Sequence, residues 1–409
     1  MSTLSDSRVL RIDITGHDRA GVTHSLTGIL AASGVRVLDI GQALIHDALA
    51  LGILVELTDE LRSSSLLTDL LLQAHVLGVQ IRFTAITGDD YQEWVQSQSK
   101  RRFLITILGP SITAGHLADV SGIVSRAGLN IDKIDRLSGR TPLVGTDDAP
   151  NRVCIEFAVS GESPDEDAVR AGLMQLTTAY DIDVAFQQDT VYRRHRRLVA
   201  FDMDSTLIQT EVIDELALLA GVGEQVARIT EAAMRGELDF QASFHQRVAL
   251  LRGLKASALQ TVIDRVPLMD GAERLTSTLR RLGYKTAILS GGFTFMGREL
   301  QRRLGIDYLH ANELAIRDGI VTGEVVPPIV DGARKATLLA EIARAENISL
   351  DQVIAVGDGA NDLPMLRLAG LGIAFRAKPV VRQTARQSIS TLGLDSILYL
   401  LGVRDREAV

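Results

Sequence analysis

The chain predicts two small α+β modules of ferredoxin-like plan, followed by a doubly wound α/β domain with a parallel sheet and a helical cap. Three observations lead there. The first half repeats itself: ITGHDRAGVTHSLTGILAASGVRVLDI (14–40) aligns with ILGPSITAGHLADVSGIVSRAGLNIDKI (107–134), with one extra residue in the second loop. In the second half the apolar runs RLVAF, KTAILS and QVIAVG, starting at 197, 285 and 352, alternate with long helical stretches, the pattern of parallel strands covered on both faces. Each of those runs ends in acids, a hydroxyl or glycines, at the strand edge where such sheets bind ligands.

Composition bounds the function. With 409 residues, 46% of them hydrophobic and 23% charged, the chain has the make-up of a globular protein of several packed domains. A formal net charge of -8 provides no electrostatic footprint for nucleic acid or an acidic membrane surface. The one basic run, YRRHRR (192–197), reads as a solvated linker ahead of the strand at Leu198. The single cysteine, Cys154 in RVCIEFAV, reads as a small buried hydrophobe, so no disulfide framework is expected. MSTLSDSR lacks a signal-peptide pattern, and no apolar run reaches the roughly 18–20 residues of a membrane span. A cytoplasmic location follows, with no nucleic-acid or membrane partner.

Each repeat opens with a short alternating strand, LRIDIT (10–15) or FLITIL (103–108), and passes through a glycine-containing loop into a helix. In the first copy Val22, Leu26, Ile29 and Leu30 fall at helical spacing, and Gly34, like Gly128 in the second, stops the helix. A strand follows that glycine, and a further strand (49–57 or 153–160), a second helix and a last strand complete a βαββαβ order. The segment 138–152 is rich in turn formers and is expected to be a mobile hairpin loop.

On these loops and this order the repeats resemble ACT domains, at 1–90 and 101–187. The resemblance implies amino-acid binding near GHDRAGV, with Gly16, Asp18 and Gly21, or near GPSITAG, with Gly109 and Gly115. Backbone N–H groups at a helix N-terminus suit a carboxylate, although the same glycines would also serve simply to permit the turn. Antiparallel module edges suit pairing into a homodimer.

In the second half, residues 197–409, the strand ends carry Asp202-Met203-Asp204-Ser205-Thr206, Ser290-Gly291-Gly292 and Gly357-Asp358-Gly359-Ala360-Asn361-Asp362, while Lys335 opens the helix ARKATLLAEIARAE. Carboxylates meeting at one point repel and call for a hard cation. An all-oxygen set favours Mg²⁺ over zinc, and none of the eight histidines has metal-ligand spacing. Ser290, N–H groups around Gly291, and Lys335 would complete a phosphate cradle. One acid of the pair can attack phosphorus and the other can move protons.

DMDST, SGG, Lys335 and GDGANDLPM closely resemble the motifs of the haloacid dehalogenase superfamily of phosphotransferases. That resemblance implies that Asp202 is the nucleophile and Asp204 the general acid/base. Asp202, Asp358 and the backbone carbonyl of Asp204 would hold Mg²⁺, with Asp362 supporting them, and Ser290 and Lys335 would bind the phosphoryl group. Between the first two motifs lie roughly 80 mostly helical residues, read as a cap at about 212–275 that excludes water and reads the rest of the substrate.

Within the cap region Glu211 and Arg247 offer one negative and one positive group, the reverse of an α-amino acid head. TLIQTEVIDE, MRGELDF, SFHQRVALLRG and LSGGFT are similar to the phosphoserine phosphatases. The resemblance implies O-phospho-L-serine as substrate, with Glu211 on its amino group, Arg247 on its carboxylate, Met234 and Phe240 shaping the pocket, and Asn361 beside the phosphate or water. L-serine is the expected effector of the modules. Another small ester such as phosphohomoserine is the alternative substrate.

Overall fold

The computed structural model describes residues 7–58, 65–97, 99–140 and 152–408. The chain divides into two compact units, one ending at Lys100 and one beginning at Arg101.

In the first unit the alternating pattern becomes β1 (Ser7–His17), with Leu10, Ile12 and Ile14 turned inward. β2 (Val37–Ile45), β3 (Ala48–Glu56) and β4 (Gln80–Thr87) complete an antiparallel sheet of order β2-β3-β1-β4. Helices Val22–Ala32 and Leu66–Leu77 close its core with Val22, Leu26, Leu30, Leu66 and Leu70. Gly34 follows the first helix at φ 65°, a left-handed turn that glycine makes without Cβ strain.

The second unit begins with the same plan. β5 (Arg101–Gly109), β6 (Asn130–Arg136), β7 (Val153–Gly161) and β8 (Asp183–Gln188) form an antiparallel sheet of order β6-β7-β5-β8, with helices Ala114–Arg126 and Glu166–Ala179. The repeat extends to packing. A Cβ on Gly16 would press on Val79 at 2.9 Å, and one on Gly109 would press on Ile182 at 3.0 Å. Both glycines therefore let the end of one strand approach the start of another. Residues 141–151 of the expected hairpin loop lie outside the described residues.

A seven-stranded sheet follows, built from β9 (Leu198–Phe201), β10 (Lys285–Phe293), β11 (Tyr308–Arg317), β12 (Ile320–Val326), β13 (Val353–Gly357), β14 (Leu371–Phe375) and β15 (Gln387–Ile389). Its order is β12-β11-β10-β9-β13-β14-β15; neighbours are parallel except for the β11–β12 hairpin. The three apolar runs are β10, β9 and β13 at its centre. Along β9, Val199 and Phe201 enter one core while Leu198 and Ala200 enter another, as alternation on a doubly covered strand requires. Burying Phe201 contributes about 1.5–3 kcal/mol.

Helices Val212–Ala220, Gly223–Met234, Phe240–Ala249 and Ser257–Arg265 lie between β9 and β10. The segments entering and leaving them are stitched together. Ile208 bridges Leu268, the Met269 N–H donates to Leu207 O at 2.9 Å, and the Gln209 N–H donates to Pro267 O at 3.1 Å.

YRRHRR is not the solvated linker its charge suggests. Arg193 and Arg196 are buried. Arg193 pairs with Glu156 and donates to Leu400 O at 3.3 Å, while Arg196 donates to the carbonyls of Asp351 and Val353 at 3.0 and 3.4 Å. A guanidinium carries five donors and can satisfy several buried acceptors at once, so only Arg194 and Arg197 of the four arginines remain in solvent. Among the described residues no helix is long and apolar enough to cross a membrane.

Candidate active site

The carboxyl ends of β9, β10 and β13 meet, because these strands are neighbours in the sheet. β9 ends at Phe201 and delivers Asp202, whose N–H donates to Val356 O at 2.9 Å, across the β9–β13 ladder. Lys335, from the helix Gly332–Ala345, reaches Asp202 Oδ1 at 2.9 Å and Asp362 Oδ1 at 2.7 Å. Neither Lys335 nor Asp362 is exposed at all. Burial would depress the Lys335 ammonium, but the two carboxylates outweigh it and raise the group above its ordinary value.

Two glycines in these motifs make room for acids. A Cβ on Gly357 would collide with the Asp362 carboxylate, and one on Gly292 would collide with Asp204. Asp204 Oδ1 accepts the Val212 N–H at 3.0 Å, at the start of the first cap helix. Burial, then the Glu211 and Asp202 charges, push the Asp204 carboxyl well above the usual carboxylate range. Burial and Asp202 likewise push Asp358 up to about 8 and Asp362 up to about 7.

Ligand oxygens of Asp202, Asp358 and Asp362 lie within 4.8 Å of one another, all three residues buried. Three buried carboxyls share the one Lys335 ammonium, and Asp358 and Asp362 have raised proton affinity, so the cluster carries excess negative charge that a hard divalent cation suits. The donor set fits a metal ion. Asp362 is otherwise engaged on both oxygens, by Lys335 and by the Gly359 N–H at 3.0 Å.

Ser290 is fully buried, with its Oγ accepting the Gly292 N–H at 2.9 Å. Gly291 lies beneath Phe240, whose ring would be 3.0 Å from a Cβ there. Phe240 in turn stacks on Phe244, with centroids 5.8 Å apart. Glu211 accepts the Ser205 hydroxyl at 3.1 Å; burial and then Asp202 raise its carboxyl. Arg247 donates from Nε to Ser243 O at 3.4 Å and feels the charges of Glu211, Asp214 and Asp204. Asn361 sits in the turn of Ala360–Asp362, where its Oδ1 overlies Gly359. The Met234 side chain, expected in the pocket, lies outside what is described.

Two contributors escaped the sequence reading. The Thr206 hydroxyl donates to Asp358 Oδ1 at 3.4 Å; its signal was its place in DMDST. Asn312 on β11 donates to Gly291 O and accepts the Val330 N–H, both at 2.8 Å, and so anchors the SGG turn. A lone asparagine in HANELAI carries no such signal.

The predicted effector residues belong to different surroundings. A cavity of about 610 Å³ in the first unit is lined by Thr15, Gly16, His17, Asp47 and Gln80 among others, and includes neither Asp18 nor Gly21. Gly21, at φ 95°, precedes the helix Val22–Ala32 with no side-chain cap. In the second module Thr113 and His116 form a capping box, and Gly115 falls in that capped first turn.

Residues 196–370 match the haloacid dehalogenase-like hydrolase family, and residues 8–84 and 102–187 match ACT domain families. A phosphoserine phosphatase of Streptomyces coelicolor is 42% identical over 406 residues, 99% of this chain and 95% of that protein. The chain belongs to the phosphoserine phosphatase family. A second family member, from Mycobacterium tuberculosis, is 42% identical over 96% of this chain and 92% of its own length. Among solved structures, a haloacid dehalogenase family hydrolase from Salmonella enterica serovar Typhi aligns with a TM-score of 0.62 at 32% identity, over 73% of this chain and 98% of its own. A probable phosphoserine phosphatase from Vibrio cholerae aligns at 0.58 and 33%, over 75% and 88%. The chain is a phosphatase with two ACT domains ahead of its hydrolase domain.

Proposed function

We propose that the chain hydrolyses O-phospho-L-serine to L-serine and phosphate, with Asp202 as nucleophile. The observation that carries this reading is the placing of Asp202, held by Lys335 at 2.9 Å, two residues before Asp204, whose carboxyl burial pushes well above the usual carboxylate range. Asp202 attacks phosphorus and forms an aspartyl-phosphate; Asp204 protonates the departing serine oxygen and then takes a proton from the water that opens the intermediate. Ser290, the N–H of Gly291 and Lys335 hold the phosphoryl oxygens, with Asn361 beside them. Asp202, Asp358 and the Asp204 carbonyl would bind Mg²⁺, with Asp362 orienting them; the ion would draw charge from the phosphoryl oxygens.

Glu211 takes the substrate ammonium and Arg247 its carboxylate, with Phe240 forming an apolar wall. The reaction belongs to serine biosynthesis in the cytoplasm. L-serine acts back through an ACT domain; the uncapped helix start at Gly21 supports the first module over the second, whose helix start Thr113 already occupies. The first module also joins two copies of the chain. Its edge strand β2 exposes Val37, Ile40, Leu44 and Ile45, where the equivalent β6 exposes Ile134 alone of its apolar residues and flanks it with Asp132, Lys133, Asp135 and Arg136, charges of the kind that blunt an edge.

The test is Mg²⁺-dependent phosphate release from a panel including phosphoserine, phosphohomoserine and p-nitrophenyl phosphate, with and without L-serine. A clear kcat/KM preference for phosphoserine is expected. Equal rates on all esters would remove the substrate assignment, and indifference to L-serine would remove the effector.

A further inference from the structure

The second module is joined to the catalytic domain through polar groups that its own fold does not require. β8, the edge of the module sheet, faces β15, the edge of the seven-stranded sheet. Gln387 spans the gap: its amide donates to Phe186 O at 2.6 Å and accepts the Phe186 N–H at 3.0 Å, replacing a missing ladder pair with a side chain. Asp183 Oδ2 accepts three hydrogen bonds, from the N–H groups of Ser390 and Thr391 at 2.8 Å each and the Thr391 hydroxyl at 2.7 Å. Asp183 and Gln387 are both buried, so these contacts are shielded from competing water.

The segment after Thr391 leads to the junction of cap and core. The Leu394 N–H donates to Asp270 O at 2.7 Å, and a Cβ on Gly271 would lie 2.7 Å from Asp395 N. Asp395 is clamped by Arg152 of the module and Arg274 of the core. One residue before Asp270, the Met269 N–H bonds Leu207 O, and the Leu207 N–H bonds Met203 O at 2.9 Å, between Asp202 and Asp204. Side-chain and backbone contacts thus run without a break from β8 to the loop bearing both acids.

We infer that the second module is a positioning element for the reaction. Through Asp183 and Asp395 it fixes the junction at 205–211 and 266–270, about which the cap meets the core, and a ligand that displaced β8 would displace that junction. The inference rests on the phosphatase reading for its kinetic consequence and on the contacts alone for its structural one. Coupling between distant sites needs contacts that both can bias, and the contiguous chain from β8 to the Asp202–Asp204 loop offers such contacts.

The test uses Asp183→Ala and Thr391→Val in the full chain, neither residue touching the catalytic groups, with hydrogen exchange and steady-state kinetics. Removing a charge-assisted hydrogen bond is expected to raise exchange about tenfold at 387–391 and also at the Leu207, Gln209 and Met269 amides. The first module's strands are expected to stay unchanged, and kcat/KM on phosphoserine to fall with the same ranking of variants. Faster exchange confined to β8 and 387–391, or a loosened junction with unaltered kcat/KM, would overturn the inference. Thr391→Val removes only one of the three bonds, and decides the matter if Asp183→Ala does not fold. Should the wild type prove inactive on phosphoserine, the substrate reading fails while the exchange measurement still decides this one.

Discussion

Asp204 Oδ1 accepts the Val212 amide N–H at 3.0 Å, tying the acid of the core loop to the first turn of the cap. One oxygen is pinned there, and the other lies over Gly292. The carboxyl whose proton affinity burial and Glu211 raise therefore has one place to stand. Gly292→Ala would push a methyl into it. With general acid catalysis worth about 10²–10⁴-fold, kcat is expected to drop by about 10²-fold while the metal affinity, read by calorimetric titration, holds. A variant with full kcat would mean that Asp204 is not placed for proton transfer.

Lys335 stands fully buried between Asp202 and Asp362. Lys335→Met would leave two close carboxylates without their cation, and breaking such a buried set costs about 3–5 kcal/mol. Urea unfolding of the metal-free protein is expected to show a loss of that order, with catalysis abolished. Lys335→Arg should restore neither, because the guanidinium exceeds a slot sized for an ammonium. Unchanged stability in Lys335→Met would mean that the acids are already neutral there.

Much of this was legible in the chain because it rests on local pattern. The repeat announced itself through glycines that turn the chain at fixed places, Gly34 and Gly128 both at positive φ, and the catalytic strands through apolar runs covered on both faces. What stayed hidden depends on tertiary contact. The β11–β12 hairpin, the short β14 and β15, and the two buried arginines of YRRHRR have no period of their own. Asn312 and Gln387 act through backbone groups far away in sequence, so their roles appear only when β11 lies beside β10 and β15 beside β8.

The raised acids set a pH dependence whose sign is definite. Folding lifts the Asp358 and Asp362 carboxyls from the ordinary 3.8 to about 8 and about 7. The folded, metal-free state therefore holds protons that the unfolded chain has released, and stability falls as pH rises from about 4 toward 8. Mg²⁺ would replace those protons. The thermal midpoint of chelator-treated protein is expected to decline between pH 5 and 8, and added Mg²⁺ to restore it most at the upper end. Calorimetry in buffers of different ionisation enthalpy should show protons released on binding. Binding without proton release would contradict the carboxyl assignment.

Arg247 is a half-buried cation on the helix Phe240–Ala249. Among the described residues it makes no ion pair within 4.0 Å, and its Nε rests on Ser243 O one turn back. Burial depresses its guanidinium, while Glu211, Asp214 and Asp204 act from a distance in the opposite sense. An incoming carboxylate would complete it with a charge-assisted pair worth about 1.5–3 kcal/mol, or about 10–150-fold in kcat/KM. Arg247→Gln is expected to lose that factor on phosphoserine and little on p-nitrophenyl phosphate, which has no carboxylate to bind. Glu211→Gln should show the same selectivity through the ammonium. Equal losses on both esters would assign the two residues to the architecture of the cap, and the choice of an amino-acid substrate would then lie elsewhere in the cleft.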